Sequence, residues 1–141
     1  MRVHVGVGSN IDPPVHVPGA LARLRDRFGR VDASRFFRVP AIGRPDQPDY
    51  WNGVLRFDTD LDRDAVRAAL REVEDAEGRV RTDDRYAART LDLDVLLWDG
   101  TIIDSDLHRR PFLAQGLVEL GDLPPGVAPP SRTHPVVWAE P

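Results

Sequence analysis

Cysteine and lysine are both missing from this chain, and methionine occurs once. Without cysteine there is no disulfide framework, no thiolate zinc site and no cysteine nucleophile. Without lysine there is no Walker-type phosphate loop, which needs one beside its glycines. Every fixed positive charge on a side chain is therefore an arginine. A net charge of −4 argues against a general nucleic-acid binder, which is usually basic. No apolar run approaches membrane-spanning length, and the opening MRVHVGVGSN shows no cleavable signal pattern. The expectation is a soluble cytoplasmic protein with no membrane or nucleic-acid partner. At 141 residues the chain has room for one domain with a real core.

What is present concentrates between Glu74 and Gly100. Arg79, Arg81, Arg85 and Arg89 precede an alternating run in which Leu91, Leu93, Val95 and Leu97 interleave with Asp92, Asp94, Leu96 and Trp98. Such alternation reads as a strand. On a strand, i and i+2 share a face about 6.6 Å apart, so Asp92 and Asp94 project side by side. Two adjacent carboxylates on a half-buried strand repel unless a cation sits between them. Mg²⁺ suits the place, because it binds carboxylate oxygen and bridges to phosphate. Arginine forks just upstream suit phosphate oxygens. Metal carboxylates beside an arginine loop point to chemistry on a nucleotide polyphosphate. Taken alone, an Asp-x-Asp pair is more often a solvated sheet face, with the arginines paired to Asp83, Asp84 and Glu77.

Elsewhere the periodicity predicts six main elements. Val3, Val5 and Val7 make a first strand closed by Gly8-Ser9-Asn10. The Gly6-x-Gly8 pair lacks the third glycine of a dinucleotide fingerprint, and Pro13 and Pro14 are expected to block an immediate helix. Residues 15–28 suit a helix stopped by Gly29. Residues 31–39 read as a second strand and 50–59 as a third. Asp62 caps a second helix through about Glu77, ended by Gly78. With the Asp92–Asp94 strand the order is β-α-β-β-α-β. The expected class is α+β, a ferredoxin-like sandwich with one antiparallel sheet and two helices on one face. Residues 101–103 suit a short edge strand and 112–120 a short helix. From Gly121 onward, the prolines at 124, 125, 129, 130 and 135 are expected to prevent regular structure. The division is a domain over 1–120 and a proline-rich tail over 121–141.

The run Glu74-x-x-x-Gly78-Arg79-x-Arg81, followed by Arg89-Thr90-Leu91-Asp92-Leu93-Asp94, resembles the signature of the 6-hydroxymethyl-7,8-dihydropterin pyrophosphokinase family. Asp46-Gln47-Pro48-Asp49-Tyr50 with Asn52, Gly8-Ser9-Asn10, and Arg110-x-Phe112 extend the resemblance over residues 3–120. It implies pyrophosphoryl transfer from ATP to the hydroxymethyl pterin, releasing AMP, by a monomer in folate synthesis. Two Mg²⁺ ions would sit on Asp92 and Asp94, with Arg79 and Arg89 over the phosphates. Glu74, Arg81, Arg85, Arg110 and His108 would bind ATP. Asn52 would bond the pterin edge, Tyr50, Tyr86 and Phe112 would flank its ring, and backbone at Val39, Pro40 and Ile42 would read it. Three departures stand out. Val39 replaces a common threonine, and Ala87-Ala88 replaces Gly-Pro. Leu107 runs directly into His108-Arg109-Arg110, without the family's Pro-His-Pro segment. That last departure favours a second reading, a non-catalytic paralogue that binds a pterin or nucleotide. A ferredoxin-like regulatory or RNA-binding module is a third, disfavoured by the acidic balance and the lack of an RRM-type aromatic motif.

Overall fold

The computed structural model describes residues 1–41 and 43–129 and the backbone of 137–139. The elements run β1 (Arg2–Ser9), α1 (Pro13–Phe28), β2 (Asp32–Ala33), β3 (Phe36–Val39), β4 (Tyr50–Asp58), α2 (Arg63–Ala76), β5 (Asp92–Trp98) and β6 (Thr101–Ile102). A single 3₁₀ turn (Ser105–His108), α3 (Pro111–Leu120) and β7 (Val137–Ala139) follow. Among the described residues the strands form one antiparallel sheet in the order β6-β5-β1-β4-β3-β7, with β2 also on β4. The molecule is α+β.

The alternation in β1 explains the centre of the sheet. Val3, Val5 and Val7 all point to one face and are almost fully buried against α1 and α2. Val66, Leu70 and Val73 line the inner stripe of α2, and each such burial contributes about 1.5–3 kcal/mol. The helix begins where Asp62 Oδ1 accepts from Ala65 N at 2.8 Å, and the chain leaves it at Gly78 with φ of 80°. The other face of the sheet is covered by α3. There Val54, Leu96, Leu107, Leu113 and Leu117 form a second apolar cluster. Gly116 permits that approach, since a Cβ there would lie 2.5 Å from Val54 Cγ2.

Three expectations change. Pro13 and Pro14 do not block the first helix but start it, because the first turn has no intrahelical use for their missing N–H groups. The second strand is two pieces, β2 and β3. At the break, Ser34 Oγ accepts from Val54 N at 2.9 Å and donates to Arg35 O at 2.8 Å, so a side chain replaces part of the ladder. The tail is not wholly irregular, since β7 pairs with β3 after the last proline run. Pro130 and Pro135 lie outside the described residues. Where the tail begins, Asp122 Oδ2 meets His4 Nε2 and Arg56 Nη1, each at 2.8 Å, and fastens the end of α3 to the sheet.

Candidate active site

β5 presents Asp92 and Asp94 on the face away from α1, and α2 reaches the same point from the side. Glu74 is the link. Its Oε2 accepts from Leu93 N and from Arg79 Nη1, at 2.8 and 2.7 Å, and its Oε1 accepts from Arg81 Nη2 at 2.8 Å. Burial pushes the Glu74 carboxyl up, against the pull of those donors. Arg79 Nη1 also donates to Asp92 Oδ1 at 2.7 Å and Leu91 O at 3.2 Å. Arg89 Nη1 stands 3.4 Å from Asp92 Oδ2.

The two aspartates are therefore unlike. Burial opposes ionisation of Asp92, but the hydrogen bond from Asp94 and the guanidiniums of Arg79 and Arg89 outweigh it and hold the carboxyl low. Among the described residues no cation pairs with Asp94. Desolvation within the site, then the charges of Asp92, Asp104 and Glu74, push it up to about 8. Asp94 is exposed at the mouths of two cavities. A raised carboxyl beside a second, ionised one fits a hard divalent ion. Among the described residues no set of three or more His, Cys, Asp or Glu forms a closed metal cage. Two carboxylates would leave the remaining positions to phosphate and water, as Mg²⁺ prefers.

Two cavities meet at this pair. The first, of about 290 Å³, is lined by Tyr50, Asn52, Tyr86, Phe112, Val39 and Pro40, and by Arg85, Arg89 and Arg110. Gly6 and Gly8 lie against it. A Cβ on Gly8 would come 3.1 Å from Asn52 Oδ1 and 3.6 Å from the Tyr50 ring, so the glycine keeps that corner open. The second cavity, of about 490 Å³, is lined by Glu74, Arg79, Arg81, Arg67 and Arg71. Asp92, Asp94 and Asp104 line both.

Of the residues singled out in the sequence, all but two thus gather round one pair of carboxylates. His108 is exposed in the 3₁₀ turn and lines neither cavity. Ile42 lies outside the described residues. Asp83, Asp84 and Glu77 do not take up the site arginines: Asp84 pairs with Arg44, and Glu77 with Arg23 and His16.

Several contributors carried no signal of their own. Asp104 follows a weak edge strand. Arg67 and Arg71 lie on α2 outside its apolar stripe. Asn10 read as a plain turn residue, yet it is buried and ties three segments together. Its Oδ1 accepts from Arg89 N at 2.8 Å, and its Nδ2 donates to Gln47 Oε1 at 3.1 Å and Pro48 O at 3.3 Å. Gln47 Nε2 in turn donates to Tyr86 O at 2.9 Å. The loops 40–49 and 79–89 are thereby joined over the first cavity.

Comparison with known proteins agrees with this geometry. The family described as 7,8-dihydro-6-hydroxymethylpterin-pyrophosphokinase matches residues 4–122. Proteins named 2-amino-4-hydroxy-6-hydroxymethyldihydropteridine pyrophosphokinase are similar along most of the chain. The Haemophilus influenzae protein is 33% identical, covering 85% of this chain and 81% of its own. That of Pseudomonas putida is 37% identical, covering 79% and 93%. That of Pseudomonas aeruginosa is 35% identical, covering 94% and 86%. With the matched residues spanning both cavities and the aspartate pair between them, this chain belongs to the 7,8-dihydro-6-hydroxymethylpterin-pyrophosphokinase family.

Proposed function

We propose that this enzyme transfers the pyrophosphoryl group of ATP to the hydroxymethyl oxygen of 6-hydroxymethyl-7,8-dihydropterin, releasing AMP, in folate biosynthesis. The observation that carries the reading is the wall of Asp92 and Asp94 shared by the two cavities. A heterocycle in the first cavity and a nucleotide in the second would meet there. Asn52 offers an amide to the ring edge, Tyr50, Tyr86 and Phe112 offer faces, and backbone at Val39 and Pro40 reads the remaining edge. Asp92 and Asp94 would hold two Mg²⁺ ions. When bound, they neutralise phosphate charge and lower the pKa of the attacking hydroxyl.

In the reaction the pterin oxygen forms a bond to the β-phosphorus, the bond from that phosphorus to the α–β bridging oxygen breaks, and the hydroxyl proton leaves to solvent. Arg79 and Arg89, held on Asp92, are placed to turn part of their donor set to the transferring phosphates. Arg81, Arg85 and Arg110 add positive charge along the nucleotide. The loops joined through Asn10 and Gln47 act as lids that exclude water. The antiparallel order β5-β1-β4-β3, with α1 and α2 on one face, supports the ferredoxin-like reading.

The exposed position of His108 favours a second reading, a binding protein without turnover. Incubation with ATP, Mg²⁺ and the hydroxymethyl pterin separates the two. AMP formed only when the pterin is present supports the enzyme. ADP as sole product excludes pyrophosphoryl transfer, and nucleotide binding without turnover leaves the paralogue.

A further inference from the structure

The second cavity carries both signs of charge. Asp92, Asp94 and Asp104 line it together with Arg67 and Arg71. Arg79 and Arg81 are engaged with Glu74, Asp92 and Asp75. Arg67 and Arg71 are not engaged: among the described residues neither has an ion pair or a side-chain hydrogen bond. Positions 67, 71 and 74 recur at helical spacing, so all three side chains leave one face of α2. At 1.5 Å per residue, Arg71 stands about 4.5 Å and Arg67 about 10.5 Å along the axis from Glu74, which contacts β5. Two open guanidiniums therefore line the α2 wall of the cavity that the aspartate pair also lines.

We propose that Arg67 and Arg71 grip the phosphate of the nucleoside monophosphate that leaves the reaction. This rests on the nucleotide reading of the second cavity. If the β-phosphorus is attacked at the aspartate pair from the first cavity, the α-phosphate and its nucleoside extend the other way, toward α2. That α-phosphate is the part of the nucleotide that remains when the β- and γ-phosphates are transferred. A guanidinium fork is suited to its oxygens, and among the described residues no acidic side chain pairs with either arginine. The two residues are then a determinant of product affinity, distinct from the arginines placed on the transferred group.

The test is calorimetry with AMP, adenosine and ATP-Mg²⁺ on the full chain. The variants are Arg67→Ala with Arg71→Ala together, and Arg71→Lys. Both positions are exposed on a helix and alanine keeps helix propensity, so folding should be unaffected. The double variant should lose AMP affinity on the order of tenfold, with a shallower salt dependence, while adenosine binding stays within about twofold. Arg71→Lys should lose less, since it keeps the charge. Unchanged AMP affinity in the double variant overturns the proposal. Equal losses for AMP and adenosine also overturn it, since the arginines would then hold the nucleoside. If the unmodified protein binds no ATP, the nucleotide reading itself fails. ATP binding that persists while AMP ignores both arginines refutes this inference alone.

Discussion

Replacing Asp94 with asparagine should stabilise the metal-free protein while abolishing its response to Mg²⁺. The carboxyl moves from an ordinary 3.8 to about 8 on folding. Between those values the folded state keeps a proton that the unfolded chain releases. Stability attributable to this group therefore falls as pH rises from about 4 to about 8, and is level above that. At 1.36 kcal/mol per tenfold, the full difference sets a ceiling of about 5–6 kcal/mol. Asp94 is open to the cavity, and solvent screening there reduces the expected penalty to about 1–2 kcal/mol. Asparagine has no proton to lose and can still donate to Asp92, so the advantage of the variant should grow with pH across that window. The assay is urea unfolding of both proteins from mildly acidic to mildly alkaline pH, in chelator and in Mg²⁺. In Mg²⁺ only the parent should gain. An asparagine variant less stable than its parent in chelator at alkaline pH would refute the account of Asp94 as a carboxyl lacking its cation.

Asn10→Ala should cost about 2–3 kcal/mol, because it strips partners from Arg89 N and the Gln47 amide in a buried place. Hydrogen exchange should then quicken in the loops 40–49 and 79–89 together, and quickening in one loop only would break the coupling argument. Gly116→Ala should destabilise by about 1–3 kcal/mol, since the new methyl meets Val54; thermal unfolding measures it, and a neutral result would show that α3 can lift from the sheet without cost. His108→Ala should leave ATP affinity within about threefold, as an exposed side chain outside both cavities does little. A tenfold loss by calorimetry would bring the 3₁₀ turn into the nucleotide site.

Local pattern made much of this architecture legible. The valines of β1, the alternation of β5, the Asp62 cap and the Gly78 stop each depend on neighbours close in sequence, and each stands where the pattern placed it. What escaped depends on distant partners. Ser34 breaks a strand because Val54 supplies an N–H twenty residues away. Pro13 and Pro14 read as barriers because the same residue type blocks a helix interior and begins a first turn. The strand at 137–139 required the open edge of β3 to pair with. The aspartate pair and arginine loop were readable from spacing and resemblance. Asn10, Asp104, Arg67 and Arg71 were not, since each enters the site only once the chain has brought its segment across to another.

The alternation in β1 has a consequence for how this protein can vary. Val3, Val5 and Val7 serve the apolar layer under α1 and α2, while Gly6 and Gly8 border the first cavity on the reverse side. One strand thus carries two sets of requirements, which meet at Val7, a core residue that also lines the first cavity. Val3 and Val5 should accept exchange among β-branched apolar residues with changes confined to stability. Gly6 and Gly8 should refuse almost any side chain, since an added Cβ at either already touches residues lining the cavity. A library that randomises alternate positions of this strand would therefore split into two kinds of failure. One kind unfolds with its cavity chemistry intact, and the other folds normally with its cavity filled.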